Sequence, residues 1–264
     1  MQENLSQYLE VSKKIAHKAG AMVLKAQQKD INIKYKSRHN LVTKFDKKSE
    51  QLISRELLEA FPTHSILGEE NMGNTTNDQK YKWIIDPIDG TTNFAHGHLY
   101  YCISIGLEIN GEIMVGVVFA PAFGELFYAA KGLGAFLNDK KISVSKIKTL
   151  DESLLATGFN PGIPEILEEN INHFVHFQKI TDGIRRCGAA ALDLCYTAAG
   201  RVDGFWEKGL KPWDMAAGKI IVEEAGGLIT SLNGTPFNLY DIEVLASNGL
   251  IHKEMTGYFQ SATP

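Results

Sequence analysis

The sequence has few cysteines, no long apolar run and no excess of positive charge, and each absence excludes a class of protein. Its 3 cysteines leave an odd count and form no CxxC pair, which argues against a disulfide scaffold or a zinc site and favours a reducing compartment. The formal net charge of -4 argues against a general nucleic-acid binder, which is usually basic. The charged N-terminal segment resembles neither a signal peptide nor an anchor, and no later segment is long and apolar enough to span a bilayer. We therefore predict a soluble, cytoplasmic protein with no membrane partner and no direct nucleic-acid binding.

Length and apolar spacing set the broad organisation of the chain. At 264 residues, of which 44% are hydrophobic, it can bury a substantial core in one large domain or in two intimate halves. Apolar residues recur with helical spacing over residues 5–26, and a second helix is predicted over 47–61. A polar, lysine-rich connection that ends at Asp46 is predicted between these two helices.

The remaining segments mix strands and helices in blocks. Short strands are predicted before Glu69 and over residues 83–85, with a polar loop over 71–80 between them. From residue 101 onward, alternating apolar segments with glycine-bearing turns predict antiparallel hairpins. The second half combines helices, the first around 163–179, with shorter strands. Blocks of this kind favour a layered α+β fold over strict βαβ alternation.

In the segment WIIDPIDGTTNF, a short apolar strand runs into two acids, Asp86 and Asp89. Pro87 restricts the backbone between them, which limits the entropy lost in holding two like charges at one centre. Hard divalent cations such as Mg²⁺ prefer carboxylate and carbonyl oxygens, and the Ile88 carbonyl lies between the two acids. Backbone amides from Gly90 to Thr92 can donate hydrogen bonds to a phosphate. The pattern favours a metal and phosphate site, and its alternative is a simple capped turn.

Two further acidic positions follow strand or loop ends. Glu69 and Glu70 come directly after a brief apolar strand, and Asp214 stands between Trp213 and a predicted helix. Asp214 can alternatively be an ordinary helix N-cap, a position that favours aspartate. Three separate acidic positions at element ends are consistent with one composite site.

Together these residues resemble the inositol monophosphatase family of lithium-sensitive, magnesium-dependent phosphatases, in its bacterial branch. The resemblance covers nearly the whole chain in the expected order and implies a layered αβαβα sandwich of the inositol monophosphatase and fructose-1,6-bisphosphatase type. It implies one domain over 1–264, built from two intimate α+β halves at roughly 1–150 and 151–264. The motifs that carry it are GEE at Gly68 to Glu70, DPIDGTTNF at Asp86 to Phe94, PWDMAAG at Pro212 to Gly218, LVTKFDKKSE, GLGAFLN, RRCGAAALDLCYTAAGRVDGFWEKGLKPWD and EEAGG.

The resemblance implies a set of ligands for two or three Mg²⁺ ions. Glu69, Asp86 and the Ile88 carbonyl would hold one ion. Asp86, Asp89 and Asp214 would hold a second, and a weaker third ion would also depend on the glutamate. Metals a few ångströms apart can stabilise the attacking and departing oxygens of an in-line displacement at phosphorus. Li⁺ would be an inhibitor because it can displace the weaker Mg²⁺.

The resemblance also assigns roles around the attacking water. Glu69 and Thr91 would position this water as the nucleophile, and Asp46 would support the threonine. From the residues alone, Asp46 can instead be an N-cap before Lys47. Lys36 lies in the preceding loop as a possible contact to metal or phosphate, or as a solvated lysine.

Substrate contacts are implied on both sides of the scissile bond. Carboxylates suit the recognition of an alcohol because its hydroxyls donate hydrogen bonds. This chain has Ala189 where the family often has a hydroxyl residue, so one polar contact is absent. The implied substrate-binding residues are Ile88, Asp89, Gly90, Thr91, Arg186, Gly188, Ala189, Ala190, Asp193, Glu207 and Asp214.

The function implied is Mg²⁺-dependent hydrolysis of myo-inositol monophosphates and related polyol phosphates, by in-line attack of a metal-activated water. One alternative is the same chemistry on fructose 1,6-bisphosphate, 3′-phosphoadenosine 5′-phosphate or NADP. Another is a non-catalytic role in transcription antitermination and ribosomal RNA synthesis with RNA polymerase and its factors, through Arg185, Arg186 and Arg201. A homodimer is expected in either case.

Overall fold

The computed structural model describes residues 2–27, 33–37, 40–71, 80–160 and 162–262, with the backbone alone for residues 2–3, 33–37, 40–42 and 262. No described helix combines the length and the apolar character that a bilayer-spanning segment requires. The helices are α1 (Gln2–Gln27), α2 (Lys44–Ala60), α3 (Thr91–Ala95), α4 (Pro164–Gln178), α5 (Ala190–Ala198), α6 (Pro212–Glu224) and α7 (His252–Ala262).

The strands form a hairpin and two sheets. The hairpin pairs β1 (Ile33–Ser37) with β2 (Asn40–Thr43). The larger sheet contains, in spatial order, β3 (Ser65–Gly68), β4 (Tyr81–Asp89), β5 (Cys102–Ile109), β6 (Glu112–Ala120), β7 (Glu125–Ala130), β8 (Gly134–Leu137) and β9 (Lys140–Lys141). The smaller sheet contains β11 (Gly183–Arg185), β10 (Leu154–Thr157), β12 (Gly204–Lys208), β14 (Glu243–Ser247) and β13 (Leu228–Thr230).

Helices cover both faces of each sheet, so the fold is the expected layered αβαβα sandwich. Helices α1 and α2 pack on one face of the larger sheet, and α5 and α6 lie between the two sheets. Helices α4 and α7 lie on the outer face of the smaller sheet, where Phe177, Met255 and Phe259 join its core. Because the strand β4 is covered on both faces, it is buried from Trp83 to Asp89, which explains its continuous apolar run.

Two glycines bring the middle layer close to the larger sheet. A Cβ atom at Gly106 would lie 2.8 Å from the Cβ of Ala216, and one at Gly116 would lie 2.5 Å from the Ala217 carbonyl oxygen. Only glycine therefore allows α6 to rest directly on β5 and β6. This packing fixes the N-terminal turn of α6, and with it Asp214, beside the end of β4.

Three sequence predictions differ from the structure. The segment 31–46 is not a plain connection, because β1 and β2 pair within it; the alternation of apolar and polar residues in INIKYKS was the overlooked signal. Helix α2 begins at Lys44 rather than at 47, because Thr43 caps it by accepting a hydrogen bond from the Phe45 amide. The strand predicted over 83–85 extends to Asp89, with a bulge between Asp86 and Asp89. Of the predicted loop over 71–80, residues 72–79 lie outside the described part.

Candidate active site

Three acids from distant parts of the chain meet at one point of the fold. Asp86 and Asp89 stand at the irregular end of β4, and Asp214 lies in the first turn of α6. One carboxylate oxygen from each of them lies within 4.8 Å of the other two. Asp86 is 3% exposed and Asp89 is 7% exposed, while Asp214 is half-buried. The three oxygens are close enough to bind one metal ion together.

Hydrogen bonds hold each carboxylate in place. Asp86 Oδ1 accepts from the Ile88 amide at 2.9 Å, which fixes the bulge at the strand end. Asp89 Oδ2 accepts from the Ala191 amide at 2.8 Å and from the Cys102 thiol at 3.6 Å. Asp214 Oδ2 accepts from the Lys211 amide at 2.7 Å as the third residue of α6, so Asp214 is not the N-cap itself.

The electrostatics of this cluster favour a cation. Burial is the largest cause that raises the pKa of Asp89 and of Asp214, each to about 7. Burial also raises the pKa of Asp86 well above its ordinary value, and the charges of Glu69, Asp89 and Asp214 raise it further. Ionised carboxylates so close together are unfavourable without a counter-charge. The donor set, hard carboxylate oxygens only, fits a divalent cation such as Mg²⁺.

Glu69 lies near the cluster, which is formed by Asp86, Asp89 and Asp214, but does not belong to it. It follows β3 directly, and its amide donates to the Ile85 carbonyl at 3.2 Å, which ties it to β4. Its charge raises the pKa of both Asp86 and Asp89, as a nearby anion does. Glu69 is therefore within electrostatic reach of the cluster.

Thr91 and Asp46 are joined by a hydrogen bond. The Thr91 hydroxyl lies 2.9 Å from Asp46 Oδ1 and 2.9 Å from the Ile88 carbonyl oxygen. Asp46 is not the N-cap of α2: it is the third residue of the helix and completes a capping box with Thr43, whose amide donates to Asp46 Oδ2 at 2.8 Å. Burial raises the pKa of the Asp46 carboxyl. Asp46 thus fixes both the start of α2 and the orientation of the Thr91 hydroxyl.

Several of the residues predicted to recognise the alcohol come from the second half of the chain. Glu207, at the end of β12, is buried, and a Cβ atom at Gly158 would lie 2.0 Å from its Oε2. Burial raises the Glu207 pKa well above its ordinary value, and Asp214, Asp193 and Asp89 raise it further. Glu207 therefore faces the same acidic space as the cluster.

Asp193 and Arg186 have different environments. Asp193 is 2% exposed, and its Oδ1 accepts from the Tyr100 hydroxyl at 2.7 Å. Its Oδ2 is buried without a hydrogen-bond partner among the described residues. Arg186 is exposed and donates to the Phe159 carbonyl at 3.3 Å, at the rim of the site.

The segment from Gly188 to Ala190 borders the turn that carries Thr91. Gly188 has φ +89°, and a Cβ atom at Gly90 would lie 3.2 Å from the Gly188 carbonyl oxygen. Ala189 and Ala190 are both buried, and Ala190 begins α5. Lys36 lies in β1, but its side chain lies outside the described part of the structure.

Sequence reasoning missed several residues that build the site. Glu50 is fully buried in α2 and accepts from the Glu70 amide at 2.7 Å, and so holds the turn that carries Glu69. Asn93 and Tyr100 bridge the two halves of the chain. The available signal for Glu50 was its helical spacing, which places it on the same face of α2 as Ile53 and Leu57. An acid on that buried face requires polar partners. The other two contacts join positions far apart in sequence and left no local pattern.

Comparisons with known proteins agree with this architecture. The profile described as the inositol monophosphatase family matches residues 4–263. The structure of an inositol monophosphatase from Anabaena sp. PCC 7120 superimposes with a TM-score of 0.90 at 42% identity, covering 99% of this chain and 98% of that one. A fructose-1,6-bisphosphatase/inositol-1-monophosphatase of Aquifex aeolicus is 42% identical over 95% of this chain and 94% of its own length. The Nus factor SuhB of Pseudomonas aeruginosa is 39% identical over 97% of each chain.

Proposed function

This chain belongs to the inositol monophosphatase family, and on that premise we propose that it is a Mg²⁺-dependent phosphatase of myo-inositol monophosphates and related polyol phosphates. The observation that carries the proposal is the convergence of Asp86, Asp89 and Asp214 within 4.8 Å. Glu207 and the start of α5 beside that cluster support a small polyhydroxy alcohol as the leaving group.

The cluster fits a hard divalent cation by its donor chemistry and by its uncompensated charge. Asp86, Asp89 and Asp214 would hold the metal, joined by Glu69 and the Ile88 carbonyl for a further ion. When bound, Mg²⁺ would lower the pKa of water and neutralise charge that develops on the phosphoryl oxygens. The Ile88 carbonyl oxygen lies 2.9 Å from the Thr91 hydroxyl oxygen and has lone pairs available for such a contact.

Thr91, Asp46 and Glu69 would prepare the attacking water. Because Asp46 Oδ1 accepts the hydrogen bond of the Thr91 hydroxyl, the lone pairs of that hydroxyl are directed away from Asp46 and can accept a hydrogen bond from the attacking water. Glu69, on the turn after β3, would accept the other proton as general base. The new bond forms between water oxygen and phosphorus while the ester P–O bond breaks; the departing alkoxide takes up a proton from solvent, and Glu69 returns its proton to solvent. The backbone of Gly90 and Thr91 would contact the phosphoryl oxygens.

The departing alcohol would be held by the opposite wall. Carboxylates at Glu207, Asp193 and Asp214 would accept hydrogen bonds from its hydroxyls, and the backbone from Gly188 to Ala190 would complete the pocket. Arg186 at the rim would limit entry. Ala189 offers no hydroxyl, so that contact is left to the backbone.

The direct test measures phosphate released from inositol 1-phosphate by the purified protein with Mg²⁺. Asp89→Asn should abolish release because it removes a ligand charge at the centre of the cluster, whereas Asp151→Asn, at an exposed turn, should retain it. Turnover that persists in Asp89→Asn, or in excess chelator, would contradict the mechanism.

A second candidate keeps the chemistry and changes the substrate. The Aquifex aeolicus relative carries fructose-1,6-bisphosphatase in its name, which favours this alternative. We therefore propose ranking inositol 1-phosphate, fructose 1,6-bisphosphate, 3′-phosphoadenosine 5′-phosphate and NADP by kcat/KM. A bisphosphate or nucleotide at the head of that ranking would replace the inositol assignment while keeping the metal site.

A third candidate is a role in transcription antitermination, because the Pseudomonas aeruginosa relative is named a Nus factor. Arg185 and Arg186 are exposed at the end of β11, whereas Arg201 already forms a two-bond pair with Glu125 at 2.8 and 2.6 Å. Capture of RNA polymerase and its antitermination factors should be compared between the wild type and Asp89→Asn. Equal capture, and equal rescue in cells, would favour an assembly role independent of turnover.

Further properties belong to the same proposal. We propose a cytoplasmic homodimer that is inhibited by Li⁺, with residues 1–264 forming one domain of two halves near 1–150 and 151–264. Sedimentation of the purified protein measures the dimer, and a Li⁺ titration at fixed Mg²⁺ measures the inhibition.

A further inference from the structure

A side chain that belongs to none of the proposed catalytic or binding groups joins the two walls of the site. Asn93, in the short helix α3, donates from Nδ2 to the Tyr100 carbonyl at 2.7 Å and to the Cys187 carbonyl at 2.8 Å. Tyr100 precedes β5 of the larger sheet, whereas Cys187 belongs to the segment between β11 and α5. One amide group therefore ties the turn that carries Thr91 to the segment that leads into Gly188.

That segment is held closely against the turn. A Cβ atom at Gly90 would lie 3.0 Å from the Tyr100 carbonyl oxygen and 3.2 Å from that of Gly188. A Cβ atom at Gly188 would lie 3.3 Å from Asn93 Nδ2. Both glycines have positive φ, +88° and +89°, so the backbones approach one another in conformations that other residues rarely adopt. The asparagine amide fills the gap that the two glycines leave.

Two other hydrogen bonds join the two halves of the chain, and they are made to residues of α5 rather than to Cys187. The Ala191 amide donates to Asp89 Oδ2 at 2.8 Å, and the Tyr100 hydroxyl donates to Asp193 Oδ1 at 2.7 Å. Both fix α5 itself. Residues 186–188 lie between β11 and Ala189, the N-cap of α5, so they belong to neither element, and the Asn93 bond is made to Cys187 in this stretch.

We propose that Asn93 is a positioning residue that sets where the 187–190 backbone meets the leaving alcohol, and so controls selection of polyol esters. The proposal rests on the proposed function. Asn93 touches neither the acidic cluster nor Thr91's hydroxyl partners, so its loss should weaken alcohol recognition and leave the phosphoryl chemistry in place.

The test compares two esters that differ in the leaving group. In Asn93→Ala the KM for inositol 1-phosphate should rise about tenfold, because the segment loses its anchoring bond. The kcat/KM for p-nitrophenyl phosphate, whose leaving group has no hydroxyls to recognise, should stay within about twofold of wild type. Asn93→Asp keeps the volume but replaces the N–H donors with a carboxylate that faces two carbonyl oxygens, so it should weaken recognition of inositol 1-phosphate at least as much as Asn93→Ala.

Asn248→Ala is the matched control. Asn248 Nδ2 also donates two hydrogen bonds, to Ser145 Oγ at 2.9 Å and to the Ile147 carbonyl at 2.8 Å, but it follows β14 in the other sheet. Its loss should lower stability and leave both KM values unchanged. Equal losses on the two esters in Asn93→Ala, or no loss on either, would overturn the proposal.

A readout without catalysis separates this proposal from the proposed function. Amide hydrogen exchange over residues 187–191 should become at least about fivefold faster in Asn93→Ala and stay unchanged in Asn248→Ala. If the wild type releases no phosphate from inositol 1-phosphate, the proposed function fails. The hydrogen exchange still tests whether Asn93 holds the 187–190 backbone in place. Unchanged exchange in Asn93→Ala would refute the positioning role of Asn93.

Discussion

Lowering the pH of the metal-free protein should stabilise it through the acidic cluster, and Asp89→Asn should remove much of that effect. The folded Asp89 carboxyl has its pKa raised by burial from 3.8 to about 7. A group whose folded pKa is raised contributes stability that is present at low pH and is lost as the pH rises toward the folded pKa. Stability should therefore fall between about pH 4 and about pH 7, where the unfolded carboxyl is ionised and the folded one still holds its proton.

The size of this effect follows from the two pKa values. One group changes stability by about 1.4 kcal/mol per pH unit in that window, or by about 3 kcal/mol between pH 5 and pH 8. His252 acts in the opposite direction, because burial lowers its pKa to about 4 and its unfolded form takes up a proton first. The quantity to compare is therefore the difference between the wild type and Asp89→Asn, in which the His252 contribution cancels.

Urea unfolding in excess chelator, at about pH 5 and about pH 8, measures this difference. Asp89→Asn should gain stability relative to the wild type by about 3 kcal/mol more at the higher pH than at the lower one. Asp151→Asn, at an exposed turn, should show no such gain. Mg²⁺ at about 100 times its Kd should add about 2.7 kcal/mol to the wild type near pH 8. A gain of Asp89→Asn over the wild type that is no larger at about pH 8 than at about pH 5 would contradict the raised pKa of Asp89.

Three other substitutions test parts of the site. Gly90→Ala should cost about 1–3 kcal/mol of unfolding free energy in urea, because φ is +88° and its Cβ would lie 3.0 Å from the Tyr100 carbonyl oxygen; an unchanged midpoint would contradict this. Thr91→Val should lower kcat for inositol 1-phosphate about a hundredfold with an unchanged circular dichroism spectrum, because it removes the hydroxyl that Asp46 orients. Glu207→Gln should raise KM for inositol 1-phosphate more than for p-nitrophenyl phosphate, since the amide donates where the carboxylate accepts; equal changes would contradict alcohol recognition.

The acidic cluster could be predicted from the sequence because each of its members stands at the end of a recognisable strand or at the start of a recognisable helix. Asp86 and Asp89 follow an apolar strand with a proline between them, and Asp214 opens a helix. Each position alone also fits a capped turn or helix, and the structure shows that Asp214 does bond the first turn of α6. Capping and clustering are compatible, because one carboxylate oxygen can serve the helix while the carboxylate still faces the other acids.

The rest of the site depends on contacts that sequence spacing does not encode. The Asn93 bond to the Cys187 carbonyl and the Tyr100 bond to Asp193 join the two halves of the chain. Their partners become neighbours only once α5 lies between the sheets. The start of α2 was misplaced for a simpler reason: Thr43 and Asp46 both suit an N-terminus, and the side chain that caps the Phe45 amide is the threonine.

The central claim is that Asp86, Asp89 and Asp214 together bind a divalent cation, and anomalous diffraction from a crystal soaked in Mn²⁺ tests it most directly. We expect a peak within about 2.3 Å of one oxygen from each of the three carboxylates, and no such peak in Asp89→Asn. A crystal that takes up Mn²⁺ elsewhere while these three carboxylates bind none would show that they do not form a metal site.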